Sequence, residues 1–196
     1  MLRMTVFRKF EVCASYESSV VKSPPSPSRK PLCNKLTTTN MNIYIGDGSK
    51  IRTRIRNQHC GGNVEGSSLR KHIAIALGLT LARQQRVNGT WRVRINLPNP
   101  LIGEQQITNY LRTGKWKFIV CPPGIDAKDF QFYAIQNINP PPILNINQGT
   151  WQVNMQAIYQ EMLNQLLNCQ AHNYDQTVNI PNEPGVYLFI HDNQPT

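Results

Sequence analysis

At 196 residues the chain has room for one folded domain, or one domain with a tail. With 40% hydrophobic residues and a net charge of +10, it can build a core without staples and calls for a polyanionic partner, either nucleic acid or an anionic membrane. No apolar run approaches the ~18 residues a membrane span needs, so any membrane contact is expected to be peripheral. The five cysteines are odd in number and widely spaced, which reads as reduced thiols in an intracellular setting.

The charge is polarised along the chain. All 21 Lys and Arg lie at or before Lys128, against six Asp and Glu in the same stretch, and five acids with no Lys or Arg follow. That polarity predicts two working faces or head-to-tail self-association, hence a homo-oligomer.

Residues 1–40 hold ten Ser or Thr and the run Ser23-Pro24-Pro25-Ser26-Pro27. Such a segment buries too little apolar surface to offset its ordering entropy and predicts a disordered basic arm, leaving 41–196 as a single domain. Asn42–Ile45 reads as a strand, Gly46–Ser49 as a turn, and Lys50–Arg56 as the returning strand of a hairpin. In that returning strand Ile51, Thr53 and Ile55 alternate with Lys50, Arg52, Arg54 and Arg56.

Ser67 or Ser68 caps a helix expected to run to about Gln84, with Arg70 and Lys71 facing out and Gly78 a weak point. Asn88-Gly89-Thr90 turns the chain into a strand over Trp91–Leu97, where Arg92 and Arg94 alternate with apolar residues. A helix over Leu101–Arg112 and a strand over Lys115–Cys121, with Lys115 and Lys117 on one face, follow. Phe130–Ile138 reads as a strand, Thr150–Tyr159 as a strand leading into a helix to about Cys169, and Val186–Ile190 as a last strand. The pattern is α+β, with a mainly antiparallel sheet and two or three packed helices.

No catalytic signature stands out. His59-Cys60, Cys121, His72 and His172 lack the short spacings of a zinc site, and Cys121 reads as core. The Gly-rich entry Cys60–Ser68 could offer free N–H groups to an anion but lacks the Lys-Ser/Thr of a phosphate loop. The strongest feature is a basic panel of Lys50, Arg52, Arg54, Arg56, Arg92, Arg94, Lys115 and Lys117, placed on three strands and fit for phosphate or lipid headgroups. The residues imply no cofactor and no metal.

The stretch Pro141-Pro142-Ile143-Leu144-Asn145-Ile146, followed by Gly149-Thr150-Trp151-Gln152-Val153-Asn154-Met155, resembles rhabdovirus matrix proteins. The order of elements over residues 43–160 is similar too, although the Pro-Pro-x-Tyr budding motif of several members is absent. The resemblance implies a non-enzymatic viral structural protein that bridges ribonucleoprotein and an anionic membrane and self-associates, located inside the host cell and in the virion. A sequence-independent RNA-binding protein, of nucleocapsid or silencing-suppressor type, is the alternative.

Overall fold

Gly185-Val186-Tyr187-Leu188-Phe189-Ile190-His191 is apolar on both of its faces, and a strand of that kind must lie inside a sheet covered on both sides. The computed structural model, which describes residues 40–195, places it there. We number the strands in chain order: β1 is Met41–Gly48, β2 Leu81–Gln85, β3 Trp91–Ile95, β4 Lys115–Val120, β5 His172–Asn173 and β6 Gly185–His191. The main sheet has the order β1-β6-β4-β5 with every pairing antiparallel, and all seven residues of β6 are buried. Strands β2 and β3 form a separate two-stranded ribbon. The fold is α+β with antiparallel sheets, as the sequence predicts. The arm read over residues 1–40 lies almost wholly outside the described residues.

Helices cover both faces of the main sheet. One face, with Tyr44, Trp116, Tyr187 and Phe189, packs against a π-helix (Thr53–Cys60), α1 (Ser68–Ala76) and α2 (Pro100–Thr113). The other face, with Ile45, Val186, Leu188 and Ile190, packs against α3 (Ala127–Asn137) and α4 (Gln156–Asn168).

Several sequence expectations fail, each for a physical reason. The expected strand Lys50–Arg56 is helical from Ile51 onward, because Ile51 and Ile55 satisfy a four-residue period as well as a two-residue one, and both are fully buried. β1 therefore pairs with β6 and not with the segment that follows it. Phe130–Ile138 lies in α3 and its C-cap: Asp126 caps that helix by accepting from the Lys128 N–H, and Phe130, Tyr133, Ala134 and Ile138 keep helical spacing. The α1 helix stops at Ala76, eight residues short of the expected end. Gly78 takes a φ of 75°, the left-handed conformation that ends helices, and the chain leaves as β2. Thr150–Tyr159 is not a strand; a 3-10 turn (Val153–Met155) leads straight into α4.

Candidate active site

The register of β1 and β6 sets Gly46 opposite Tyr187 and Tyr44 opposite Phe189. Directly opposed residues share a sheet face, as do residues two apart along a strand, so Tyr44 and Tyr187 emerge together. Gly46 makes this possible. A Cβ there would overlap the Tyr187 hydroxyl oxygen, so the missing side chain is the space that the phenol occupies.

The Tyr187 hydroxyl ends a buried hydrogen-bonded row. Its oxygen is 2.5 Å from His59 Nε2, and His59 Nδ1 is 2.6 Å from Ser67 Oγ. Ser67 also N-caps α1 by accepting from the Arg70 N–H at 3.1 Å. Burial first, and then the charges of Arg54 and Arg70, push the His59 pKa well below its ordinary value, so the ring is neutral at physiological pH. A neutral imidazole has one donor and one acceptor nitrogen, so in either tautomer both ring nitrogens are paired. The ring stacks on Trp116 with centroids 5.9 Å apart.

Burial raises the Tyr187 pKa well above its usual value, and the Arg54 guanidinium beside the hydroxyl opposes that rise by charge and by hydrogen bonding. Arg54 projects from the π-helix and is steadied by the Gln58 side chain and the Gly66 carbonyl. Tyr44 lines a cleft of about 380 Å³, together with Ser68, His72, Lys128, Gln131 and Asn145. A second cleft, of about 360 Å³, is lined by Arg54 itself with Asp47, Lys50, Thr53 and Gln58. His72 Nδ1 is buried without a hydrogen-bond partner among the described residues, and burial lowers the pKa of its ring.

Arg70, expected on the outside of α1, is instead fully buried and ties three elements together. It donates to the His59 carbonyl at 2.8 Å, to Glu104 Oε2 at 2.8 Å and to Thr108 Oγ1 at 3.1 Å. Glu104 Oε1 in turn accepts from the Val64 N–H at 2.9 Å. The network fixes the end of the π-helix that carries His59.

The eight cations read as one panel do not share a strand face. Lys50, Arg52, Arg54 and Arg56 lie on or beside the π-helix, Arg92 and Arg94 on the ribbon, and Lys115 and Lys117 on the main sheet. Arg52 bonds the Ile180 carbonyl and Lys117 the Leu167 carbonyl. Of the eight, Arg54 is the one whose charge acts on both tyrosines, opposing the rise that burial imposes on their pKa values.

A family model described as the GIY-YIG catalytic domain matches residues 16–171, well over half of the chain. The chain belongs to the GIY-YIG catalytic-domain family. Its name spells two tripeptides, and both have counterparts here: Tyr44-Ile45-Gly46 on β1, and Gly185-Val186-Tyr187, with Val for Ile, on β6. The second lies beyond the matched residues, and the two stand in the reverse of the order in the name. They meet because β1 and β6 pair. No match is found among curated proteins or among solved structures.

The family is one of nucleases, which overturns the rhabdovirus matrix resemblance. The virion, membrane-bridging and non-enzymatic readings fall with it, as does the alternative of a sequence-independent RNA-binding protein. The stretch that carried the resemblance has another role. Ile143 and Leu144 donate backbone N–H groups to the Asn42 and Ile43 carbonyls, and the Asn145 side chain both accepts from and donates to the Ile45 backbone, clamping the outer edge of β1. No helix among the described residues is long and apolar enough to cross a membrane.

Nucleases commonly employ a divalent cation held by carboxylates. Among the described residues no group of three or more His, Cys, Asp or Glu is placed to hold one. The cleft beside Tyr44 has no carboxylate in its lining, and Asp47 in the neighbouring cleft shares it with Lys50 and Arg54. This donor set does not fit a carboxylate-held metal. Sequence reasoning missed Tyr44, Gly46 and Tyr187; the signal available was a Tyr-Ile-Gly and a Gly-Val-Tyr on two apolar strands at opposite ends of the chain.

Proposed function

We propose that the chain is a nuclease that hydrolyses phosphodiester bonds of nucleic acid on the β1–β6 face. One observation carries the reading: the two tripeptides lie in antiparallel register with the Arg54 guanidinium against the buried tyrosine. Hydrolysis forms a bond from a water oxygen to phosphorus and breaks the bond to one ester oxygen. The water gives up a proton and the departing oxygen gains one. Arg54, always charged, stabilises the negative charge on the non-bridging oxygens, which is where fixed cations contribute most.

His72 is held neutral on the cleft wall and accepts the proton of the attacking water, which the Tyr44 hydroxyl orients. The leaving oxygen is protonated from solvent through the open cleft. Tyr187, His59 and Ser67 are too deeply buried to touch substrate and act as positioning residues that hold β6 and Arg54 in place.

The test is cleavage of labelled single- and double-stranded oligonucleotides by wild type and by Arg54→Ala. We expect cleavage by wild type and a loss of about 10²–10³-fold in the variant, with the unfolding midpoint kept. Equal rates, or no cleavage of any substrate by wild type, would overturn the reading.

A further inference from the structure

We propose that the β2–β3 ribbon is an arm that grips the groove of a B-form DNA duplex, an inference that rests on the nuclease reading. The ribbon belongs to neither face of the main sheet. Leu81, Val93 and Ile95 anchor its base to the core. The ladder places Arg94 opposite Ala82 and Arg92 opposite Gln84, so these four residues share the face turned away from that anchor.

Beyond the anchor the ribbon stands in solvent. Trp91 is 58% exposed, and Val87 in the turn is as exposed as in an extended chain. Gly89, with a φ of 78°, and the Arg86–Thr90 backbone bond at 2.7 Å close the turn tightly, so the tip is a defined structure.

Its charge is unspent. Among the described residues Arg86 pairs with Glu65, whereas Arg83, Arg92 and Arg94 have no carboxylate within ion-pair distance. Glu104, which lines the same cleft as Arg94, is already committed to Arg70 and the Val64 N–H. The side-chain bond from Arg92 Nε to Gln84 Oε1 at 3.1 Å engages one nitrogen of that guanidinium across the ribbon and leaves its two terminal nitrogens without a hydrogen bond among the described residues.

Shape selects among polyanions. Five-residue strands give a ribbon of about 17 Å, whose inner half is held to the core and whose outer half and turn are free. The B-DNA major groove, about 12 Å wide, admits a two-stranded ribbon. The A-form major groove is too deep and narrow for side chains to read, so an RNA duplex is excluded by the same geometry. The exposed Val87 in the turn supplies apolar contact at the tip, where a purely electrostatic patch would present only charge.

The decisive experiment measures binding by fluorescence anisotropy, with Arg54→Ala as the parent so that the probe stays intact, against a short DNA duplex and an RNA duplex of the same sequence. Adding Arg92→Gln and Arg94→Gln should weaken DNA-duplex binding by about tenfold or more. It should also lower the log–log salt slope by about 1.8, at about 0.9 for each phosphate no longer neutralised. The unfolding midpoint should hold, because both side chains lie outside the core. The parent should bind the RNA duplex more weakly than the DNA duplex. Unchanged DNA affinity, an unchanged salt slope, or RNA binding as tight as DNA binding would each overturn the proposal. A parent that binds neither duplex would do the same. Loss of wild-type cleavage, in contrast, bears on the nuclease reading alone.

Discussion

The β1–β6 pair and the β2–β3 pair are both antiparallel, both carry aromatic residues, and both have arginines at hand, yet they are built to opposite ends. In the first, Tyr187, His59 and Ser67 are buried and each polar atom has a partner, with Arg54 reaching them from a helix. In the second, Trp91, Arg83 and Arg94 stand in solvent and the ribbon meets the core along one edge. An aromatic or an arginine therefore means different things in the two places. Buried and bonded, it fixes geometry to a fraction of an ångström; exposed and unpaired, it is a surface awaiting a partner. Substitutions should separate the two, with large costs to folding and chemistry in the first and small costs to folding in the second.

The largest expected effect on folding lies under the site. Arg70→Ala removes one partner of a buried ion pair and strands the Glu104 carboxylate and the His59 carbonyl. Breaking such a pair costs about 3–5 kcal/mol, which urea unfolding would measure, whereas Arg92→Gln should fall within about 0.5 kcal/mol of wild type.

Gly46→Ala comes next. Its new methyl would overlap the Tyr187 hydroxyl, so either the phenol leaves its bond to His59 or the strands spread. Overpacking of this kind costs about 1–3 kcal/mol, and cleavage should fall more steeply than stability. Gly89→Ala offers the contrast: no atom lies within 4 Å of the added carbon, and the cost comes from its φ of +78° alone, roughly 1 kcal/mol.

A smaller effect is expected on pH. The folded-state pKa values of His59, His72 and His191 are all depressed by burial, so below the ordinary histidine value of 6.5 the unfolded chain binds protons that the folded chain does not. Stability should be full above that pH and decline as pH falls below it, by at most about 1.4 kcal/mol per pH unit for each proton taken up. The ribbon holds no histidine and should contribute nothing to this slope. Thermal melts of wild type and His59→Asn between neutral and mildly acidic pH would check it, with the variant giving the shallower profile.

What the sequence discloses follows the same division. Strands whose apolar residues cover both faces or alternate cleanly, such as Val186–Ile190 and Lys115–Cys121, are legible because burial is written into local composition. The turn at Asn88-Gly89 is legible because positive φ has few suitable residues. Lys50–Arg56 misleads because Ile51 and Ile55 fit two periods, and local pattern cannot decide between them. Arg70 reads as an outward residue because its burial depends on Glu104, 34 positions away. The site is hidden for a related reason. Tyr44 and Tyr187 stand near opposite ends of the chain, and only the pairing of β1 with β6 brings Gly46 beneath the phenol. The basic panel is not one strand face, since its members divide between a helix, the ribbon and the main sheet.

The central claim is that β6, although outside the residues matched by the family model, holds the catalytic face in place through the Tyr187 hydroxyl. The most direct measurement is the cleavage rate of Tyr187→Phe beside wild type, with the fold checked by circular dichroism and the melting midpoint. That change deletes one oxygen and leaves the ring, the register and the packing of Phe189 and Trp116 in place. The account predicts a folded protein, destabilised by about 1–3 kcal/mol through the unpaired His59 nitrogen, whose cleavage rate falls at least tenfold. A folded Tyr187→Phe protein that cleaves at the wild-type rate would contradict it.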